Sequence, residues 1–287
     1  MKSLIAALLA MPLVLNGPAL ALPGKIAVIQ YHPKFGETET NIGRLTTYAE
    51  EAVRGGANLV LFPEGAIFGY DSGAEVWCRP GMSSFQTNDG DYRGCRDVSD
   101  VAEMIPFDPT TQYWRNFAID KGIYVLFNII EVSDDEYYNT LVAIDPKGNA
   151  TPYRKRILFE TEYPYASAGD DSVMLDTPFG KFGLMICIDG FDTNAQDSLD
   201  RGFYSGYKAA GADAILIPMN WDTYDAQNEF AAQSVFADRA KRFDIDIFAS
   251  DAYDGTARYW ANGAPRDRGG LPVAANSEGV SYHTVNY

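Results

Sequence analysis

Gly55-Gly56-Ala57-Asn58-Leu59-Val60-Leu61-Phe62-Pro63-Glu64 is the stretch on which the fold of this chain turns. Two glycines stop a helix, four apolar residues make a buried strand, and a proline followed by a carboxylate ends it. Before it, Ile42, Leu45, Ala49, Ala52 and Val53 recur at three- and four-residue spacing and predict that helix. Earlier still, Lys25-Ile26-Ala27-Val28-Ile29-Gln30 predicts another buried strand. A strand–helix–strand unit of this kind makes its two strands parallel. The pattern returns downstream in Ala210-Gly211-Ala212-Asp213-Ala214-Ile215-Leu216-Ile217-Pro218-Met219-Asn220. In open α/β sheets ligands lie beyond the carboxyl ends of strands. Glu64, Cys187 at the end of the apolar run Phe182 to Cys187, and Asn220 with Trp221 all fall at such ends. Three strand ends therefore direct polar or reactive groups at one rim.

The other elements follow the same logic. Residues 70–108 are rich in Gly, Ser, Asp and Arg and read as an insertion near the site rather than a separate domain. A helix is expected from Thr110 to Lys121. Strands are expected from Ile123 to Ile130 and from Asn139 to Ile144, joined by the acidic turn Ser133-Asp134-Asp135-Glu136. Leu199, Phe203 and Tyr207 predict a helix, Ala214 to Ile217 a strand, Gln227 to Arg242 a helix, and Ile245 to Ala249 and Val280 to Thr284 strands.

The N-terminus has the order of a secretory signal: Lys2, an apolar run from Leu4 to Leu15, then Ala19-Leu20-Ala21. The run is shorter than the roughly 20 residues that span a bilayer, so no membrane anchor is expected. Cleavage after Ala21 leaves residues 22–287 as one folded domain, in the periplasm or outside the cell. The formal net charge of −16 disfavours nucleic-acid phosphates as partners. Three cysteines are economically paired as a Cys78–Cys95 disulfide stapling the insertion, with Cys187 left as a free thiol. Two distant histidines offer no metal ligand set, and no glycine-rich nucleotide fingerprint occurs, so no cofactor is expected.

Taken singly, the candidate catalytic residues are ambiguous. Cys187 reads equally as a reactive thiol or a small buried hydrophobe. Lys155, in Tyr153-Arg154-Lys155-Arg156, alone would be a solvated basic turn, and Glu64 alone a surface carboxylate. Their order and surroundings join them. Phe62-Pro63-Glu64, Tyr153-Arg154-Lys155 and Cys187-Ile188-Asp189 together resemble the nitrilase (carbon–nitrogen hydrolase) superfamily over about Lys25 to Ser250.

That resemblance implies an α/β fold, a four-layer α–β–β–α sandwich, and a Glu64–Lys155–Cys187 triad. Within the superfamily the chain looks most like the vanin and biotinidase branch, on Ile67-Phe68-Gly69-Tyr70, Tyr138-Asn139-Thr140, Phe179-Gly180-Lys181-Phe182-Gly183, Pro218 to Trp221 and the signal. It departs from that branch in its insertion and in stopping soon after the catalytic domain. By this resemblance the chain hydrolyses a small amide through a cysteine acyl-enzyme. Cys187 attacks, Glu64 carries the proton, and Lys155 with the backbone N–H of Ile188 faces the oxyanion. Lys155 is also expected to lower the thiol pKa. Glu162 is the expected second glutamate, with Glu160 its rival. Asn220, Trp221 and Tyr70 are expected to bind substrate. Nitrile hydrolysis on the same triad, and a silent secreted binding protein on the same fold, are the alternatives. The resemblance also allows a homo-oligomer.

Overall fold

The computed structural model describes residues 22–192, 201–221, 232–252, 257–259 and 277–287. The chain opens with β1 (Gly24–Gln30), α1 (Thr38–Arg54) and β2 (Leu59–Leu61), and β1 runs parallel to β2 with Ile26 opposite Leu59. The insertion supplies β3 (Glu75–Cys78), β4 (Ser84–Gln86) and β5 (Tyr92–Asp97). Then come α2 (Pro109–Lys121), β6 (Tyr124–Ser133), β7 (Glu136–Ile144), β8 (Ala150–Arg154), β9 (Met174–Thr177) and β10 (Gly180–Leu184). The remainder is α3 (Phe203–Ala209), β11 (Ala214–Met219), α4 (Ala232–Phe243), β12 (Asp246–Asp251), β13 (Ala257–Tyr259) and β14 (Gly279–Val285).

Two sheets carry the molecule. One has the order β14-β1-β2-β6-β7-β8 and the other β13-β12-β11-β10-β9. The period of two in their strands builds the layers. Ile26, Val28, Leu59, Leu61 and Leu126 turn inward to a core shared with Phe182, Leu184 and Leu216 of the second sheet. Their neighbours Ala27, Ile29, Val60, Val125 and Phe127 turn outward to meet Leu45, Ala49 and Ala52 of α1 and Trp114, Phe117 and Ala118 of α2. On the far side Gly183 lies so close beneath Tyr207 of α3 that a Cβ there would sit 2.7 Å from the ring. The result is the four-layer α–β–β–α sandwich.

Most expected elements appear, with longer bounds. The strand expected from Phe182 to Cys187 ends at Leu184, because Cys187 already starts a 3-10 turn, Cys187–Phe191. The insertion folds as a third small sheet, β3-β5-β4, and Cys78 and Cys95 are disulfide-bonded across β3 and β5 with Cα atoms 5.4 Å apart. β8 and β9 had no clear periodic signal. Leu199, the stretch before Ala232 assigned to the last long helix, and the signal region lie outside the described residues.

Candidate active site

The candidate residues sit at the carboxyl ends of strands from both sheets. β2 ends at Leu61 and Phe62-Pro63 lead to Glu64, and Lys155 follows β8 directly. Cys187 lies just beyond β10, and Asn220 and Trp221 just beyond β11. The sheets are tied at this point. Glu64 N–H donates to the Met219 carbonyl at 3.2 Å, and Asn220 Nδ2 donates to the Glu64 carbonyl at 3.3 Å.

Lys155 is the hub. Its Nζ, fully buried, lies 2.8 Å from Glu64 Oε1 and 2.7 Å from Glu162 Oε2. The backbone holds it there through Lys155 N–H to the Asn139 carbonyl at 2.8 Å. Glu162, not Glu160, is therefore the glutamate brought to the site; Glu160 instead accepts from the Asn88 N–H at the surface. Asn139 bridges the two carboxylates of this charged trio, its Nδ2 donating to Glu64 Oε1 at 2.8 Å and also to Glu162 Oε1. Asn128 orients it, donating to Asn139 Oδ1 at 2.5 Å while its own Oδ1 accepts the Gly65 N–H at 2.7 Å. Neither Asn128 nor Asn139 was singled out for a role from the sequence. The available signal was Asn128, a polar residue inside the apolar run Val125 to Ile130, which has to be satisfied if buried.

The electrostatics follow from burial. Removal from water pulls the Lys155 ammonium down, but the Glu162 and Glu64 carboxylates outweigh it and hold it well above the usual lysine value. Burial raises the Glu64 carboxyl, Lys155 opposes and Glu162 reinforces, and the net direction is upward. Cys187 is 4% exposed, and burial and then Glu64 push its thiol well above the ordinary range despite the opposing pull of Lys155. Lys155 does pull the thiol pKa down, as expected, but burial and Glu64 outweigh it. Two carboxylates and one ammonium leave the site with a net charge of about −1, and a thiolate would add a second negative charge in a dry pocket. Burial therefore favours the thiol over the thiolate. Glu64 Oε2 is buried without a hydrogen-bond partner.

Cys187 has φ of +47°, a left-handed backbone uncommon for any residue with a Cβ. Asp189 pins this turn. Its buried carboxylate accepts from Ile186 N–H at 3.1 Å, Tyr153 Oη at 2.8 Å and Ile157 N–H at 2.7 Å. It thereby ties the cysteine turn to the segment that follows Lys155. Burial pushes the Asp189 carboxyl up to about 6, against the pull of Lys155 and these donors. Ile188 lies in the first turn of the 3-10 segment, where N–H groups lack an acceptor within the turn.

Cys187 opens on a cavity of about 680 Å³ whose wall includes Phe35, Tyr70, Phe159, Asn220 and Trp221. That is the size of a small-molecule pocket. The Tyr70 ring lies 5.7 Å from Lys155 Nζ, and its hydroxyl is buried without a partner. Trp221 packs on Phe191 and Phe159, with ring centroids 5.1 and 6.5 Å away. Asn220 has its amide engaged with the Glu64 carbonyl, so it also fixes the seam between the sheets. Among the described residues no group of three His, Cys, Asp or Glu side chains is placed to hold a metal.

Comparison with known proteins supplies the family and the fold. Residues 25–195 match the carbon–nitrogen hydrolase family. A nitrilase from Pyrococcus abyssi is 30% identical over 197 residues, 68% of this chain and 64% of that protein. A probable nitrilase from Schizosaccharomyces pombe is 26% identical over 70% of this chain and 65% of its own length, so the match spans just under two thirds of both relatives. Among solved structures, an amidase from Nesterenkonia sp. AN1 in complex with acrylamide superposes with a TM-score of 0.68 at 17% identity, covering 96% of this chain and 93% of that one. A Saccharomyces cerevisiae member of branch 10 of the nitrilase superfamily gives 0.70 at 19% identity, covering 94% and 92%.

Proposed function

The chain belongs to the carbon–nitrogen hydrolase family, and from that premise we propose that it is an exported amidase working through a Cys187 acyl-enzyme. The observation that carries this reading is Lys155 Nζ, held 2.8 Å from Glu64 and 2.7 Å from Glu162 beside a thiol that opens on a cavity. In the proposed cycle, Sγ attacks the amide carbonyl carbon as Glu64 Oε2 takes the thiol proton. The tetrahedral oxyanion faces Lys155 Nζ and the Ile188 N–H. Glu64 passes its proton to the departing amine as the C–N bond breaks, leaving a thioester. Water then attacks the thioester, Glu64 takes a proton from it, and the thiol is restored as the acid leaves. The raised pKa of Glu64 suits a group that must both accept and deliver that proton.

A second reading, nitrile hydrolysis, is favoured by the names of the two curated relatives. The same thiol would add to the nitrile carbon, with the same three neighbours. Turnover of the amide and the nitrile of one acyl group by purified protein separates the two. The amidase reading expects amine or ammonia release from the amide, an acyl adduct in the intact mass, and neither with Cys187→Ala. Consumption of the nitrile alone, or normal turnover by Cys187→Ala, would remove it. Secondary amides such as pantetheine and biotinyl-lysine belong in the panel because of the vanin- and biotinidase-like segments. Export predicts that the protein recovered outside the cytoplasm begins at Leu22; an N-terminus at Met1 there would contradict it.

A further inference from the structure

The cavity above Cys187 has two chemically different ends. The deep end holds Cys187, which is 4% exposed, and the walls are aromatic. The outer end is built by the insertion, from Asp71, Ser72, Gly73 and Arg93. Arg93 and Asp71 have side chains 28% and 29% exposed, so they stand at the mouth. We propose that Arg93 makes this enzyme prefer amides that carry a carboxylate remote from the scissile bond. The proposal rests on the reading of Cys187 as the nucleophile and adds a substrate class to it.

The hydrogen-bonding capacity at the mouth favours an anion. Asp71 is largely used: Oδ1 accepts the Gly73 N–H at 2.8 Å, and Oδ2 lies 3.5 Å from Arg93 Nη1. A guanidinium has five N–H donors, and a single ion pair at 3.5 Å leaves most of them for a ligand. A carboxylate fits that fork with two parallel hydrogen bonds. The surrounding field opposes an anion, which makes Arg93 the cation such a substrate depends on. The buried trio is net negative and the whole chain carries −16, so an anionic substrate needs a local cation to enter.

The arm that holds Arg93 is rigid. β5 is the central strand of the small sheet, and Arg93 faces Phe85 of β4 across it. Two residues on, Cys95 is bonded to Cys78. Next to it, the Arg96 guanidinium lies 5.8 Å from the Phe35 ring and 5.4 Å from that of Trp77, fastening the insertion to a wall of the cavity.

The test compares n-alkanamides with two charged series. One has the carboxylate in the acyl part (monoamides of dicarboxylic acids), and the other has it in the amine part (N-carboxyalkyl acetamides). In the wild-type protein, kcat/KM for at least one charged series is expected to exceed its neutral counterpart by about tenfold or more. Arg93→Gln should cut that ratio about tenfold, through KM, and Arg93→Lys should retain part of it. A purely structural role for Arg93 would lower both members of each pair and leave the ratio alone. Calorimetric binding of the same compounds to Cys187→Ala protein, with and without Arg93→Gln, needs no turnover. Carboxylate-dependent and Arg93-dependent binding without any amide hydrolysis would keep the inference and discard the amidase reading. Amide hydrolysis with a charged-to-neutral ratio near one, or a ratio indifferent to Arg93→Gln, would discard the inference alone.

Discussion

Replacing Lys155 by methionine would leave Glu64 and Glu162 in a dry site with their shared ammonium gone. Breaking a buried ion pair by removing one partner costs about 3–5 kcal/mol. Lys155→Met should therefore lose roughly that much in urea unfolding as well as all turnover, and an unchanged midpoint would mean the trio contributes little to the fold. Asp189 gives a prediction of the opposite sign from the usual carboxylate. Its native pKa of about 6 lies above the ordinary 3.8, so between those values the folded protein binds the proton more tightly than the unfolded chain. Its contribution is full at low pH and is lost as pH rises through about 6, by about 3 kcal/mol at 1.36 per unit. The stability gap between wild type and Asp189→Asn should shift toward the variant by that order between about pH 4 and pH 7; a constant gap would refute the assignment. Glu64, Lys155 and Cys187 stand out in the sequence as candidates because each stands in a short motif at a strand end. Asn139 was quoted only within a family-like segment, and Asp189 only as the third member of a tripeptide. Their roles depend on partners 75 and 36 positions away, which no local pattern encodes.

Among the elements, the insertion offers the cleanest measurement. Its disulfide closes a separation of 17 residues, and loop-closure entropy of that length is worth about 3 kcal/mol. A Cys78→Ala/Cys95→Ala double variant should lose about that much, and an unchanged unfolding curve would show that the small sheet holds without its staple. The hairpin between β6 and β7 turns on Asp134 and Asp135, both left-handed at φ of +52° and +65°. Such a two-residue turn favours Asn-Gly. Asp135→Gly should raise the urea midpoint by up to about 1 kcal/mol of stability, through relief of the left-handed strain; a loss would argue against the turn. The turn itself was read in the sequence, as were β1, α1, β2, α2, β6 and β7, because each carries a clean period or a Gly and Pro boundary. The strands of the insertion are not evident in its sequence, since β4 and β5 are largely exposed or half-buried and burial imposes no alternation on them.

For the whole molecule, the sandwich was foreseen by resemblance, whereas the sequence pattern alone argued only for parallel units with active ends on one rim. What the pattern did not contain is that the rim belongs to two sheets. Glu64, Lys155 and Glu162 come from the first sheet and the chain that follows it, and Cys187 from the second. The segment between them, around Asp170 to Ser172, is exposed and lies between β8 and β9. A cut there would place the carboxylates and ammonium on one polypeptide and the sulfur on the other, so under the proposed cycle neither piece would turn over substrate alone. Co-expressed, the two pieces would be drawn together by the inter-sheet core and by β14 pairing with β1. Recovered hydrolysis would then act as a complementation reporter, one whose signal appears only when both halves of the reactive centre have found each other.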